Sequence, residues 1–185
     1  MMAVTAPTSR DDGLVARAIA GDRDAFGALI RRHDARLRSV ASKLLGGDVH
    51  RMDDVMQDAY VKAYRSLASF RGDAAFGTWI HRIVHNTCMD ELRRSVRLAT
   101  PVDVMDDTVA SSWIGPEQAT TTADSVRRAL DALSADQRAA VVLVDGQGFD
   151  IASAAEILGV PEGTVGSRLS RARATLRHLL REDQS

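Results

Sequence analysis

The sequence predicts an all-α protein made of two small helical units joined by a flexible linker, and three observations predict it. Helix formers such as Leu, Ala and Arg dominate a chain of 185 residues that holds only 4 Pro and 4% aromatic side chains. Apolar residues recur at three- and four-residue spacings in one segment after another. Between two such groups of segments, residues 98–123 lose the period and gather Pro101, Pro116, a Thr run and acidic residues, the composition of a tether.

Taken in order, residues 1–10 read as a disordered tail and residues 11–97 as the first unit. A short helix over Leu14–Ile19 ends at Gly21. Asp22 is placed to cap the next helix, whose stripe is Phe26, Leu29, Ile30, Leu37, Val40, Leu44 and Leu45, and Gly46-Gly47 stops it. A third helix, about Asp48 to Phe70, has the stripe Val55, Met56, Ala59, Tyr60, Ala63 and Leu67. Its Asp54, Gln57, Asp58, Val61 and Arg65 project elsewhere. After the turn Arg71-Gly72-Asp73, a fourth helix from about Ala75 to Arg97 buries Phe76, Ile80, Ile83, Val84, Cys88 and Leu92. It leaves Arg82, Asn86, Met89, Arg93 and Arg97 on another face. The second unit, residues 124–185, reads as four helices over Asp124–Leu133, Ser134–Gly146, Asp150–Leu158 and Pro161–Leu180.

The net charge of -1 conceals an asymmetry. Residues 98–123 hold no Lys or Arg but carry Asp103, Asp106, Asp107 and Glu117; residues 163–181 hold Arg168, Arg171, Arg173, Arg177 and Arg181 with no acid among them. Phosphate binding depends on the local field and not on the total. One cysteine, Cys88, rules out an intramolecular disulfide. The start of the chain lacks the charged and apolar segments of a signal peptide, and no apolar run approaches the roughly 20 residues of a membrane helix. A cytoplasmic protein without direct membrane insertion is expected.

The most informative stretch is the short helix IASAAEIL, the turn Gly159-Val160-Pro161 and the long helix opening Glu162-Gly163-Thr164. Gly159 can take the positive φ that closes one helix, and Pro161 needs no donor at the start of the next. This is helix-turn-helix grammar. Val165, Leu169, Ala172, Leu176 and Leu179 anchor the long helix, so Ser167 and Arg171 point outward with Arg168 and Arg173 on the flanks. Arg171 is thereby set to reach a base edge while its neighbours grip phosphates, and the helix start offers backbone N–H groups to a phosphate.

The segment DDVMQDAYVKAYRSLASFRGDAAFGTWIHRIVHNTCMDELRR, which begins at Asp53, closely resembles conserved regions two point two to two point four of the extracytoplasmic-function sigma factors of the sigma-70 family. The segment DQRAAVVLVDGQGFDIASAAEILGVPEGTVGSRLSRARATLRHLL, which begins at Asp136, resembles their region four, and GDRDAFGALIRRH extends the likeness toward the start. The match is nearest to the SigM-type factors of actinobacteria, and 22 Arg against 2 Lys suits a GC-rich genome. The resemblance implies an RNA polymerase sigma factor that recognises minus-10 and minus-35 promoter elements. Residues 11–97 would be sigma region two and residues 124–185 sigma region four.

Residue by residue, the resemblance implies that Asp54, Gln57 and Asp58, with Val61 and Arg65 on the same helix, dock on the basic coiled coil of the polymerase beta-prime clamp, and that region four meets the beta flap. It implies that the loop 70–75, with Phe70, Arg71 and Asp73, captures a flipped minus-10 base, and that Trp79, Arg82, Asn86 and Arg93 contact the opened strand. Packing competes for Trp79, which lies beside the core stripe. Ser167, Arg168 and Arg171 carry over as readers of the minus-35 element, with Thr164 and Arg173 on phosphates. Gly166 departs from the family, which has Lys or Arg there, so one backbone contact is expected to be missing. The linker would run into the RNA-exit and active-site channel. An anti-sigma factor is the further partner implied.

Two other classes are weighed. No Gly-rich phosphate loop, activated nucleophile or paired acids suggest an enzyme, and neither catalytic residue nor cofactor is expected. His81, His85 and Cys88 share one side of the fourth helix at metal-compatible spacing, but three ligands with Cys88 in the apolar stripe favour a packed helix. An autonomous dimeric helix-turn-helix regulator, reading a palindrome by itself, is the alternative to a sigma factor.

Overall fold

The computed structural model describes residues 11–99 and 122–182, and every regular element among them is helical. The first unit comprises α1 (Asp12–Ile19), α2 (Arg23–Leu44), α3 (Val49–Ser66), a 3-10 turn (Leu67–Ser69) and α4 (Phe76–Ala99). The second comprises α5 (Thr122–Asp131), α6 (Ala135–Val141), a π-helical turn (Val142–Gly146), α7 (Ile151–Leu158) and α8 (Glu162–Glu182). The expected tail and most of the expected linker lie outside the described residues. At the linker's edges α4 runs on to Ala99 and α5 begins at Thr122.

Asp22, named from sequence as a cap, accepts from the N–H groups of Asp24 and Ala25 at 3.0 Å, and Asp150, where a helix was expected to begin, accepts from that of Ser153 at 2.7 Å. Ser134 and Gln137 form a reciprocal capping box at α6. The predicted stripes are buried: Leu29, Leu37, Val40 and Leu44 in α2, Val55, Met56, Ala59 and Ala63 in α3, Ile80, Val84 and Cys88 in α4. Burial pushes the Cys88 thiol up to about 12, so the sulfur behaves as a small apolar group.

The two units do not stand apart. Their buried side chains form one continuous cluster, with α4 packed against α7 and α2 against α6 and the π turn. Arg138 of α6, only 3% exposed, donates across the seam to the Leu44 carbonyl at the end of α2, 3.3 Å away. The same guanidinium is held on its own side by the carbonyls of Asp131 and Leu133 and by the Asp131 carboxylate at 3.1 Å. A cation at the end of α2 also meets the negative pole of that helix. Gln147 donates to the Ser39 hydroxyl at 3.3 Å, and the Phe149 ring stands edge-on to His81 with centroids 4.9 Å apart.

This seam corrects one expectation. Met89, assigned from sequence to an open face of α4, is buried. It continues the line His81, His85 at four-residue steps, and the second unit covers that side of the helix. His81, His85 and Thr78 are buried there too.

Buried imidazoles make the fold acid-sensitive. Burial lowers the His81 pKa to about 4 against the hydrogen bond that its Nδ1–H donates to the Gly77 carbonyl, which favours the cation, and His33 and Arg36 lower it further. His85 shifts the same way by burial; Asn86 and Asp136 oppose the shift, while Arg168 and Arg93 add to it. Between the ordinary value of 6.5 and about 4, the unfolded chain therefore binds more protons than the folded one. Stability should be level above pH 6.5 and fall as the pH drops through that window, at no more than about 1.4 kcal/mol per pH unit for each proton. Urea unfolding between pH 7.5 and 5 checks this, and His81→Leu should flatten the dependence.

Candidate nucleic-acid interface

Once its stripe is buried, α3 leaves Asp54, Gln57, Asp58, Val61 and Arg65 exposed along one side, as the period requires. The neighbouring acid Asp53 is instead tied to Arg38 at 2.6 Å. Val61 and Tyr64 add an apolar patch beside the acids, 43% and 44% exposed, with Tyr64 edge-on to Phe26. Sequence reasoning missed Tyr64, whose four-residue step from Tyr60 places it near the core stripe although it is exposed. Tyr60 itself turns inward and donates to Asp34 at 2.5 Å.

The loop between the 3-10 turn and α4 carries Arg71 and Asp73, both exposed and paired with each other at 3.3 Å. Gly72 takes φ 76° there, which an L side chain resists. Phe70 is half-buried, its ring 5.2 Å from Trp79 and 6.0 Å from Phe76. Packing therefore claims part of both rings. Trp79 still lines an open cleft of about 680 Å³ together with Asp73, Thr78 and Arg82. Asn86 and Arg93 are exposed further along α4, Arg93 paired with Asp90 at 2.7 Å.

In the second unit Gly159 ends α7 at φ 66°, ψ 34°, the left-handed cap expected of it. Val165, Leu169 and Ala172 of α8 are buried, and Ser167 and Arg171 are exposed on the far side. The flanking arginines are engaged within the unit. Arg168 pairs with Asp136, and Arg173 grips Asp145 through Nε at 3.0 Å and a second nitrogen at 2.6 Å. Arg171 has no such carboxylate partner among the described residues. Thr164 is half-buried, and its N–H, like that of Val165, already donates to the Pro161 carbonyl. Glu162 adds an exposed carboxylate in the same turn. The start of α8 is thus a poorer phosphate cradle than the sequence suggested.

The His81, His85 and Cys88 side of α4 faces the seam, with Phe149 against His81. Among the described residues no group of three or more His, Cys, Asp or Glu is arranged to hold a metal ion, and no helix is long and apolar enough to cross a membrane.

Two family models match the chain, Sigma-70 region 2 over residues 29–98 and Sigma-70 region 4 over residues 123–176. An ECF RNA polymerase sigma factor SigM of Mycobacterium tuberculosis is 48% identical over 172 residues, 92% of this chain and 84% of the relative. Among solved structures, CnrH in complex with the cytosolic domain of CnrY is 31% identical with a TM-score of 0.72, over 95% of this chain and 99% of its own. The sigma factor RpoE of Bartonella quintana, solved with the anti-sigma factor NepR, is 30% identical with a TM-score of 0.68, over 84% and 96%.

Gly166 sits half-buried in α8, and a Cβ there would meet nothing within 4 Å. Gly166→Ala should stabilise the protein by about 1 kcal/mol, raising Tm by about 2–4 °C in a thermal melt. Gly166→Arg should add promoter affinity as well and steepen its salt dependence by about one phosphate contact, read from binding across a salt series.

Proposed function

The chain belongs to the extracytoplasmic-function sigma factors of the sigma-70 family, and from that premise we propose how its residues share the work of a sigma factor. As a sigma factor it binds core RNA polymerase and promoter DNA to begin transcription. Residues 11–97 act as region two. Asp54, Gln57 and Asp58 offer negative charge to the basic coiled coil of the beta-prime clamp, Val61 and Tyr64 cover apolar surface beside it, and Arg65 borders the contact. Arg71 and Asp73 frame the pocket for an extruded minus-10 base, which Phe70 backs. Trp79, Arg82, Asn86 and Arg93 follow the unpaired strand, where one stacked base is worth about 1–3 kcal/mol.

Residues 124–185 act as region four, reading the minus-35 element while resting on the beta flap. Ser167 and Arg171 reach base edges, Arg168 flanks them, and Thr164 and Arg173 lie against phosphates. The observation that carries this assignment is the exposure of Ser167 and Arg171 opposite the buried stripe Val165, Leu169 and Ala172, on the helix that follows a left-handed glycine turn. Binding energy alone performs the task, so the protein acts as a binder and not as an enzyme, needs no cofactor, and works in the cytoplasm beside its promoters. CnrH was solved with the cytosolic domain of CnrY and the Bartonella RpoE with the anti-sigma factor NepR, and a similar anti-sigma factor is proposed as the regulator here. An autonomous dimeric regulator would not need a region-two match in its first half.

Charge reversal separates the two grips. Arg171→Glu should lower minus-35-dependent runoff transcription at least tenfold, since a bidentate arginine contact is worth about 1–3 kcal/mol, and should leave core binding intact. Asp54→Lys with Asp58→Lys should abolish association with core in size-exclusion chromatography and leave minus-35 binding by the isolated chain unchanged. Equal loss of both activities in both variants would refute the assignment.

A further inference from the structure

Two of the side chains proposed to meet the minus-10 element, Phe70 and Trp79, belong to a cluster of rings that reaches into the core of the first unit. Their centroids are 5.2 Å apart, and both lean on Phe76, at 6.0 Å from Phe70 and 5.4 Å from Trp79. Phe76 is only 2% exposed, so it is the floor on which the two half-buried rings rest. A fourth ring, the imidazole of His33 in α2, meets Phe76 with centroids 5.5 Å apart. Nothing in the sequence reading or in the assigned contacts gives His33 a task.

That imidazole is fixed on two further sides. Its Nε2 lies 2.8 Å from the carboxylate of Asp11, the residue that precedes α1. Asp11 is itself buried; burial alone would raise its carboxyl, but the hydrogen bonds from His33 and, at 2.5 Å, from Arg32 hold it below the usual carboxylate range. An ionised carboxylate can only accept, so Nε2 carries the proton and the orientation of the ring is set. The other contact is with the first turn of α4. A Cβ at Gly77 would stand 3.2 Å from Cε1 of His33 and 3.6 Å from its Nδ1, so the ring fits there because residue 77 has no side chain. His33 thus spans from the start of α1 to the turn of α4 that carries Phe76.

We propose that His33, oriented by Asp11, is a positioning residue for minus-10 recognition: acting through Phe76, it sets where Phe70 and Trp79 stand when the opened strand arrives. The inference rests on the placement of Phe70 and Trp79 against that strand proposed above. A site that must stack an extruded base works only if its rings are held within a fraction of an ångström by the side chains behind them. His33 supplies that support from a place DNA does not reach, its side chain being 16% exposed and that of Asp11 8%. A ring held by a hydrogen bond to a buried carboxylate keeps one orientation, which an aliphatic side chain at the same position would not impose on Phe76.

The test uses the full chain bound to core polymerase, on a promoter from which the unaltered holoenzyme makes a runoff transcript, and follows strand opening by the permanganate reactivity of unpaired thymines. His33→Ala should lower opening about threefold to tenfold, the worth of one aromatic pair, and leave association with core in size-exclusion chromatography unchanged. Asp11→Ala should repeat the loss, and Asp11→Asn, whose amide oxygen can still accept from Nε2, should recover it. A double-mutant cycle separates positioning from general loosening. In a chain that already carries Phe70→Ala, His33→Ala should cost much less than it does alone; the same loss with and without the Phe70 ring would overturn the proposal, as would full opening by His33→Ala. Should His33→Ala unfold the first unit, Gly77→Ala takes its place in the cycle, since it crowds the imidazole without removing it. An error in the placement of the rings shows separately: Phe70→Ala and Trp79→Ala would then open the promoter fully by themselves, and the role of His33 would fall with it.

Discussion

Helix α4 is buried on two sides, and most of the molecule follows from that. Phe76, Ile80, Val84 and Cys88 occupy one arc of the helix, against α2 and α3. Thr78, His81, His85 and Met89 occupy the next arc, on the side where α7 and Phe149 pack. At 100° per residue these two arcs together span about three-fifths of the circumference. Trp79, Arg82, Asn86 and Arg93 then fall together on what remains, and three of the four are exposed. The residues proposed to follow the unpaired strand thus share a face because packing has taken the other positions. A substitution that loosened either buried arc would disturb that proposed face without touching any of its four side chains.

The second arc is also where the sequence was least legible. A three- and four-residue period identifies the stripe that a helix buries against its own neighbours, and on that basis Asp22, Asp150 and Gly159 all marked true ends and every predicted helix is present. The period carries no sign of a second covering surface supplied by residues far along the chain. Met89 was accordingly placed in solvent, and Arg138, more than 90 positions from its acceptor Leu44, had no feature to distinguish it from a surface arginine. The last turn of the helix predicted to end at Gly146 widens into a π turn, which puts Asp145 within reach of Arg173. Helix propensity cannot register such a change, because it concerns which carbonyl an N–H selects and not whether it bonds.

Two chemical logics coexist in the two halves of the site. On α3 the acids assigned to the polymerase are left open to solvent, ready for a basic partner at little desolvation cost. On α8 the cations assigned to DNA are mostly occupied already, Arg168 by Asp136 and Arg173 by Asp145. The overall charge of -1 is the sum of these opposite choices, which is why it gives no hint of a DNA-binding surface.

The occupied arginines bear on affinity. An exposed ion pair contributes at most about 1 kcal/mol, so a phosphate can displace either carboxylate. Displacement leaves Asp136 or Asp145 unpaired beside the DNA backbone, and that repulsion offsets part of each new contact. On the proposed assignment, region four on its own therefore binds a minus-35 element weakly, with Arg171 supplying discrimination while its neighbours supply little net charge. Tight binding has to come from linkage: a unit anchored to the polymerase meets its element at an effective concentration set by the assembly, and a weak, selective contact becomes sufficient. The internal pairs thus stabilise the helix-turn-helix in the free protein and, on the same assignment, oppose its holding DNA without the polymerase.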